Sequence, residues 1–393
     1  MNNKFKITIF SCFTGYIVQA IINNFLPLLF ITFNGSFGIP LWKITLLITL
    51  NFGVQMTVDL LSAKIIDRLG YKTSIVFAHV MSALGLVLLS FLPFIIDPFA
   101  GILTSVIVYA VGGGIIEVLI SPIMESCPTD NKEKAMSLLH SFYCWGHVGV
   151  VLISTLLFRL FGIGNWPIFA ILWAVIPIIN IFLFVKSPIA PLIPDGQKEM
   201  SLKELFSSKI FIIFVVMMIC SGASEQAVSQ WASVFAERSL GIDKALSDLV
   251  GPLSFATLMG LSRTFYGKFG EKINLDKFIN ASTILCIFSY LLISLSPLPL
   301  LSIIGCALCG LSVGVMWPGT FSKASHSLPR GGTAMFSLLA LSGDVGCLLG
   351  PSVVGTVSNA TSDNIKIGIM IAAVFPTVLL LCQSFRQNKK IDA

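Results

Sequence analysis

Runs of apolar residues, each long enough to cross a bilayer, alternate with short polar or Pro/Gly-rich breaks along the whole chain. They lie at about residues 7–32, 43–66, 73–93, 99–123, 134–160, 166–186, 209–236, 246–266, 275–296, 299–322, 334–358 and 364–386. A spanning helix takes about 20 such residues, so the pattern predicts twelve transmembrane helices. It is not the period-two alternation, in segments of about ten residues, that marks a membrane β-barrel. The first run follows Lys4 and Lys6 and stays apolar to Ile31 without a small-x-small cleavage site, so it reads as a span, not a signal peptide.

The breaks carry the charge. With the N-terminus in the cytoplasm, all but five of the 25 Lys and Arg residues fall on cytoplasmic segments, the exceptions being Lys43, Arg159, Arg238, Lys244 and Lys366. This bias is the positive-inside signature of an even-numbered bundle with both termini in the cytoplasm. The formal charge of +6 is therefore topological, and no nucleic-acid partner is expected, because that requires basic residues gathered on one face. Composition agrees: 55% of the 393 residues are hydrophobic, 11% are charged and the mean hydropathy is +0.90, against about 25% charged in a soluble domain. Nine cysteines, mostly inside the apolar runs, indicate no disulfide framework, and Cys306-x-x-Cys309 reads as helix filler.

Between the sixth and seventh runs, Pro188, Pro191, Pro194 and Gly196 mark a linker, and Ser201-Leu202-Lys203-Glu204 reads as a capping box opening a short helix. The chain also repeats itself. Ala63-x-x-x-Asp67-Arg68-x-Gly70-x-Lys72 after run two returns as Arg263-x-x-x-Gly267-Lys268-x-Gly270-x-Lys272 after run eight, and Gly114 to Pro122 returns more loosely as Gly310 to Pro318. The repetition predicts an all-α integral membrane protein of two pseudo-symmetric six-helix bundles, residues 1–186 and 209–393, joined by a cytoplasmic linker over 187–208.

The loop from Ala63 to Lys72 resembles the signature G-x-x-x-D-R-x-G-R-R/K of the major facilitator superfamily, with Ala63 in place of the first glycine and Tyr71 in place of the first arginine. The resemblance implies that family's fold and a conformational latch at this loop. Asp67, Arg68, Gly70 and Lys72, Asp59 above them, and Arg263 and Lys268 in the second copy are then expected to serve gating. Leu138-Leu139-His140-Ser141-Phe142 through Gly146, Gly222-x-x-Glu225 with Trp231, and Gly346-x-x-x-Gly350-Pro351 are similar to the fucose permease-like branch of sugar–proton symporters. In that branch carboxylates on spans one and four are associated with proton coupling; Glu117 matches the span-four acid, whereas span one offers Asn23 and Asn24.

Acids inside the membrane are functional candidates, since a charge at mid-bilayer costs at least about 2.5 kcal/mol on insertion scales. Asp59, Glu117, Glu225 and Asp344 qualify. Glu117 shares a helix face with Gly113 and Ser121, beside the Gly112-Gly113-Gly114 run, and is the expected proton-coupling residue together with His140. The alternative for Glu117 is a neutral acid bonded to a helix neighbour. Substrate contacts are expected from Tyr16, Gln19 and Asn23 on span one, from Glu225, Gln226, Ser229 and Trp231 on span seven, from Trp317 on span ten and from Asp344 on span eleven. Amides and carboxylates exchange hydrogen bonds with hydroxyls, and an indole packs against a sugar ring; each of these side chains can equally serve helix packing. His140, Cys144 and His147 recur at i, i+4 and i+7, but no metal site or cofactor is expected from two histidines and a thiol in a membrane helix.

These readings predict proton-driven symport of a small polar solute, a sugar or polyol, by a monomer in the lipid bilayer of a bacterial inner membrane. The alternative is a proton-coupled efflux antiporter for drugs or other small molecules. The arginine on span four and the glycine-proline pair on span five that resemblance to such antiporters would require are replaced by Val111-Gly112-Gly113 and a lone Gly146. No enzyme is expected, as the chain has no H-E-x-x-H, nucleophile elbow, phosphate loop or soluble insertion.

Overall fold

The computed structural model describes residues 5–190, 199–232, 235–236, 249–361 and 364–391, and all regular structure in them is helical. In chain order the α-helices are α1 (Lys6–Asn24), α2 (Phe30–Phe37), α3 (Leu41–Leu69), α4 (Tyr71–Phe91), α5 (Pro98–Ser126), α6 (Lys132–Phe161), α7 (Trp166–Lys186) and α8 (Leu202–Ser207). They continue as α9 (Lys209–Ser229), α10 (Ser254–Phe269), α11 (Leu275–Leu295), α12 (Pro299–Val313), α13 (Met316–Ser327), α14 (Gly332–Ala360), α15 (Ile365–Ala372) and α16 (Val374–Ile391).

Among the described residues, ten helical stretches are long and apolar enough to cross a membrane. Two expected spans stand outside that set. One is α3, whose sequence includes Lys43, Asp59, Lys64, Asp67 and Arg68. The other is span eight, which starts outside the described residues and reaches α10 through a π-turn at Leu249–Leu253.

Prolines redraw several expected boundaries. Pro27 lies in a 3-10 turn, Leu26–Leu29, that separates α1 from α2. Run ten divides at Gly314–Val315 and run twelve at Ala373, in each case just ahead of a proline (Pro318, Pro376) that has no N–H for the carbonyl four residues back. Helix starts follow the side-chain rules. The Asp97 carboxylate accepts from the Ala100 amide at 2.9 Å ahead of Pro98, and Asn274 caps α11. Ser201 and Glu204 form the predicted capping box, and the Ser201 amide and hydroxyl hold the exposed Glu204 carboxyl below its ordinary pKa.

The chain divides into two compact units, Met1–Asp130 with Phe142–Gly196, and Asn131–Ser141 with Gln197–Ala393. The division falls inside α6, whose first turns belong to the second unit.

Glycine sets the helix spacing in each unit. In the first, the three consecutive glycines of α5 face three ways: a Cβ on Gly112 would strike the Ala78 carbonyl of α4, one on Gly113 would press Ile22 of α1 at 2.8 Å, and one on Gly114 would meet Val58 of α3 at 2.9 Å. An aromatic group, Phe33, Trp166, Phe94 and Phe37, closes one end of that unit's core. In the second unit α9 and α14 pack backbone to backbone: a Cβ on Gly346 would collide with the Ile219 carbonyl, one on Gly350 with that of Ala223, and one on Gly222 with that of Gly343. Such contact maximises dispersion where lipid removes any hydrophobic drive for helices to associate.

Substituting Gly346 by valine should therefore overpack the α9–α14 seam by about 1–3 kcal/mol. The expected outcome is an apparent Tm several degrees below the parent in detergent. Gly149→Ala, whose added Cβ meets nothing within 4 Å, should melt with or above the parent. Parent-like melting of Gly346→Val would refute the seam.

Candidate transport site

Each unit contains a polar cluster that includes expected site residues. In the first, α1, α3 and α5 bring five side chains into a continuous chain. The Gln19 amide nitrogen donates to Glu117 Oε2 at 3.1 Å and to Gln55 Oε1 at 3.0 Å. The Gln55 amide in turn donates to Asn23 Oδ1 at 3.0 Å, where Asn51 also donates at 3.1 Å. A second rung joins α1 to α5 through the Tyr16 and Ser121 hydroxyls, 2.9 Å apart. Gln19, Gln55, Asn51, Tyr16 and Ser121 are buried, while Glu117 and Asn23 are half-buried. Local sequence explains the convergence: Tyr16, Gln19 and Asn23 follow helical spacing on α1, Asn51 and Gln55 are four apart on α3, and Glu117 and Ser121 are four apart on α5. Gly113 lets the side chains meet, since a Cβ there would stand 3.3 Å from the Gln55 amide carbon and 3.4 Å from Gln19 Oε1.

The cluster of the second unit is built around a buried charge. Arg263, on α10, is 3% exposed and is held on three sides. Nε donates to the Gly314 carbonyl at 2.7 Å, Nη1 to the His140 carbonyl at 3.1 Å, and Nη2 to Glu225 Oε2 at 3.2 Å in an ion pair. Proline creates the first of these acceptors: the Gly314 carbonyl would ordinarily bond the N–H of residue 318, and Pro318 has none. Beyond Glu225, Gln226 donates to Oε1 at 3.3 Å and Gln230 donates to Gln226 at 2.9 Å. The Ser137 hydroxyl returns a bond to the Arg263 carbonyl at 2.8 Å.

The other expected site residues sit around these clusters. Ser229 ends α9, one turn beyond Glu225, and Trp231 donates its indole N–H to the Pro351 carbonyl at 3.2 Å. The Trp317 indole packs onto Gly343, and Asp344 is buried beside that glycine on α14. His140 contributes a ring stacked on Phe321, 6.0 Å between centroids, as well as its carbonyl. It lies in the second unit and Glu117 in the first.

Of the gating candidates, Asp59 is buried on α3 one turn from Gln55. Arg68, Gly70 and Lys72 are exposed where α3 meets α4, and the side chain of Asp67 lies outside the described residues. Gly70 is the whole connection: with φ +81° and ψ 151° it ends one helix and starts the next, a conformation open essentially to glycine alone. The repeat behaves differently. Lys268 is exposed over the Phe269 ring, but Arg263, aligned with Ala63 at the head of the motif, stands inside a helix within the protein. Ion pairs in the second unit include Lys134–Glu271, Arg263–Glu225 and Lys323–Asp276. No group of metal-binding side chains occurs among the described residues.

Sequence reasoning did not join Gln55 and Asn51 to Glu117. The signal available was the shared polarity of facing stripes on α1 and α3. It also left Gly314 without a role, although a carbonyl four residues ahead of a proline is a vacant acceptor by rule.

Residues 8–351 match the Major Facilitator Superfamily family model. Among curated proteins the chain is 20% identical to the membrane protein MosC of Rhizobium meliloti over 279 residues, 69% of this chain. The matches span only 54% and 66% of the lengths of the two curated relatives found. The fold is similar to that of the E. coli fucose:proton symporter FucP in its outward conformation, with TM-score 0.81 and 16% identity over 98% of this chain and 99% of that one. It is equally similar to the proton:xylose symporter XylE, with TM-score 0.81 and 10% identity over 96% and 94% of the two chains. At these identities the likeness establishes the fold alone.

Gln19→Leu should destabilise the first unit, because one amide nitrogen serves two acceptors, the buried Gln55 and the half-buried Glu117, and leaving a buried acceptor unmet costs of order 1–3 kcal/mol. Glu117→Gln keeps an acceptor oxygen for Gln19 and should melt close to the parent. Thermal unfolding of the two purified variants tests this; equal melting would refute the chain as drawn.

Proposed function

The chain belongs to the major facilitator superfamily, and on that premise we propose that it is a proton-coupled symporter of a small polar solute, a sugar or polyol, working by alternating access. The observation that carries the proposal is the hydrogen-bonded chain from Glu117 through Gln19 and Gln55 to Asn23. As a carboxylate, Glu117 accepts from Gln19. When it takes a proton, its O–H needs an acceptor, and the Gln19 amide supplies one by turning its oxygen toward it. Reversal of that amide reorients Gln55 and then Asn23, so the protonation state of one acid is passed to amides able to exchange hydrogen bonds with solute hydroxyls. No second acid on α1 is needed.

In this reading the moving halves are residues 1–186 and 209–393, linked through 187–208, and the protein acts as a monomer in the inner membrane with both termini in the cytoplasm. Tyr16, Gln226, Trp231, Trp317 and Asp344 complete the solute contacts. The hinge at Gly70 serves gating.

The test is external pH in de-energised, lightly buffered cells expressing the protein, challenged in turn with hexoses, deoxyhexoses and polyols. Addition of the substrate should cause alkalinisation. Glu117→Gln should abolish it while leaving exchange of preloaded solute intact. Uptake that ignores the pH gradient, or full accumulation by Glu117→Gln, would overturn the assignment.

A further inference from the structure

Arg263 is buried, at 3% exposed among the described residues. The contacts that hold it are of two kinds. Two are backbone carbonyls, Gly314 at the break between α12 and α13 and His140 in the first turns of α6, and they fix Nε and Nη1 by main-chain geometry. The third is a side-chain carboxylate, Glu225 on α9. The carbonyls position the guanidinium without neutralising it, and at the Nη2 edge a carboxylate supplies countercharge. Around that carboxylate, Gln226 is half-buried and Gln230 exposed, two amides suited to hydroxyls.

We propose that Arg263 is a carboxylate-binding site and that Glu225 is its resident occupant, displaced in transport by the carboxylate of the solute. The substrate class is then a hydroxylated monocarboxylate, a sugar acid in place of a neutral sugar. This rests on the symporter reading above and narrows it.

The exchange is balanced. In the resting cluster Arg263 and Glu225 sum to zero. When the solute's carboxylate takes the Nη2 edge, Glu225 would be left as a second buried anion beside a single cation, so it accepts one proton as it leaves. One anion and one proton enter together, and the cluster remains neutral. Other ionisable groups close to this cluster are the His140 ring on α6 beside Arg263, Tyr290 on α11 whose hydroxyl donates to the Ser224 carbonyl of α9, Asp344 on α14, Lys323 and His326 on α13, Lys366 on α15, Lys203 and Glu204 on α8, and thiols; the basic side chains ending α16 lie outside the described residues. Lys323 is engaged by Asp276 and Lys366 by the Ser296 carbonyl, which leaves Arg263 as the cation bonded to Glu225.

Calorimetric binding of glucuronate and of glucose to the purified full-length protein tests the proposal. Glucuronate should bind at least tenfold more tightly than glucose, with affinity falling up to tenfold per pH unit as pH rises through the titration of Glu225, the signature of one linked proton. Glu225→Gln, which keeps the carbonyl anchors of Arg263, should bind glucuronate at least as tightly as the parent and lose the part of the pH dependence that one proton on Glu225 supplies, leaving only that linked to Glu117. Arg263→Gln should weaken glucuronate at least tenfold and leave glucose unaffected. Equal binding of both sugars, or a pH dependence in Glu225→Gln as steep as the parent's, would overturn the carboxylate site. If glucose is bound and drives alkalinisation that requires Glu117, neutral-sugar symport stands and this inference alone falls. If neither solute is bound, both fall.

Discussion

The structure depends on one constraint: the hydrocarbon core of a bilayer offers no water to a polar group, so every amide, carboxyl and guanidinium buried there must find its partner within the protein. Helices satisfy the main chain at once. The side chains are the harder part, and two clusters show how it is solved. In the first unit Gln19 donates to the Glu117 carboxylate and to Gln55, and Gln55 and Asn51 both donate to Asn23. In the second a guanidinium gathers two main-chain carbonyls and one carboxylate.

Packing follows from the same absence of water. With nothing to drive helices together but dispersion, backbones must touch, and glycine is the residue that lets them. Gly112, Gly113 and Gly114 each admit a different neighbour, so three successive positions hold α5 against α4, α1 and α3. The polar row can form only because α1 and α3 come this close to α5. Packing and chemistry in the first unit are therefore set by the same three residues.

Most of this was legible in the sequence. Apolar runs of bilayer length announce the helices, and Ser201 to Glu204 announces a helix start that the structure contains. Tyr16, Gln19 and Asn23 were readable as one stripe because helical period alone puts them there. Two things were not readable. Which stripes face one another is a tertiary fact, so Gln55 could not be assigned to Glu117 by spacing. Nor could Arg263 be placed: its neighbours Gly267 and Lys268 resemble a polar loop, and only the folded chain shows that α10 continues past them to Phe269.

Pro318 and Arg263 are 55 positions apart and belong to different helices, yet they form a single trait. The proline removes an amide hydrogen, the removal leaves the Gly314 carbonyl open, and the arginine fills it at 2.7 Å. Either residue alone is a defect, one an unmet acceptor and the other an unanchored charge. An ordinary residue at 318 would let the helix reclaim its own carbonyl and leave the arginine short of an anchor.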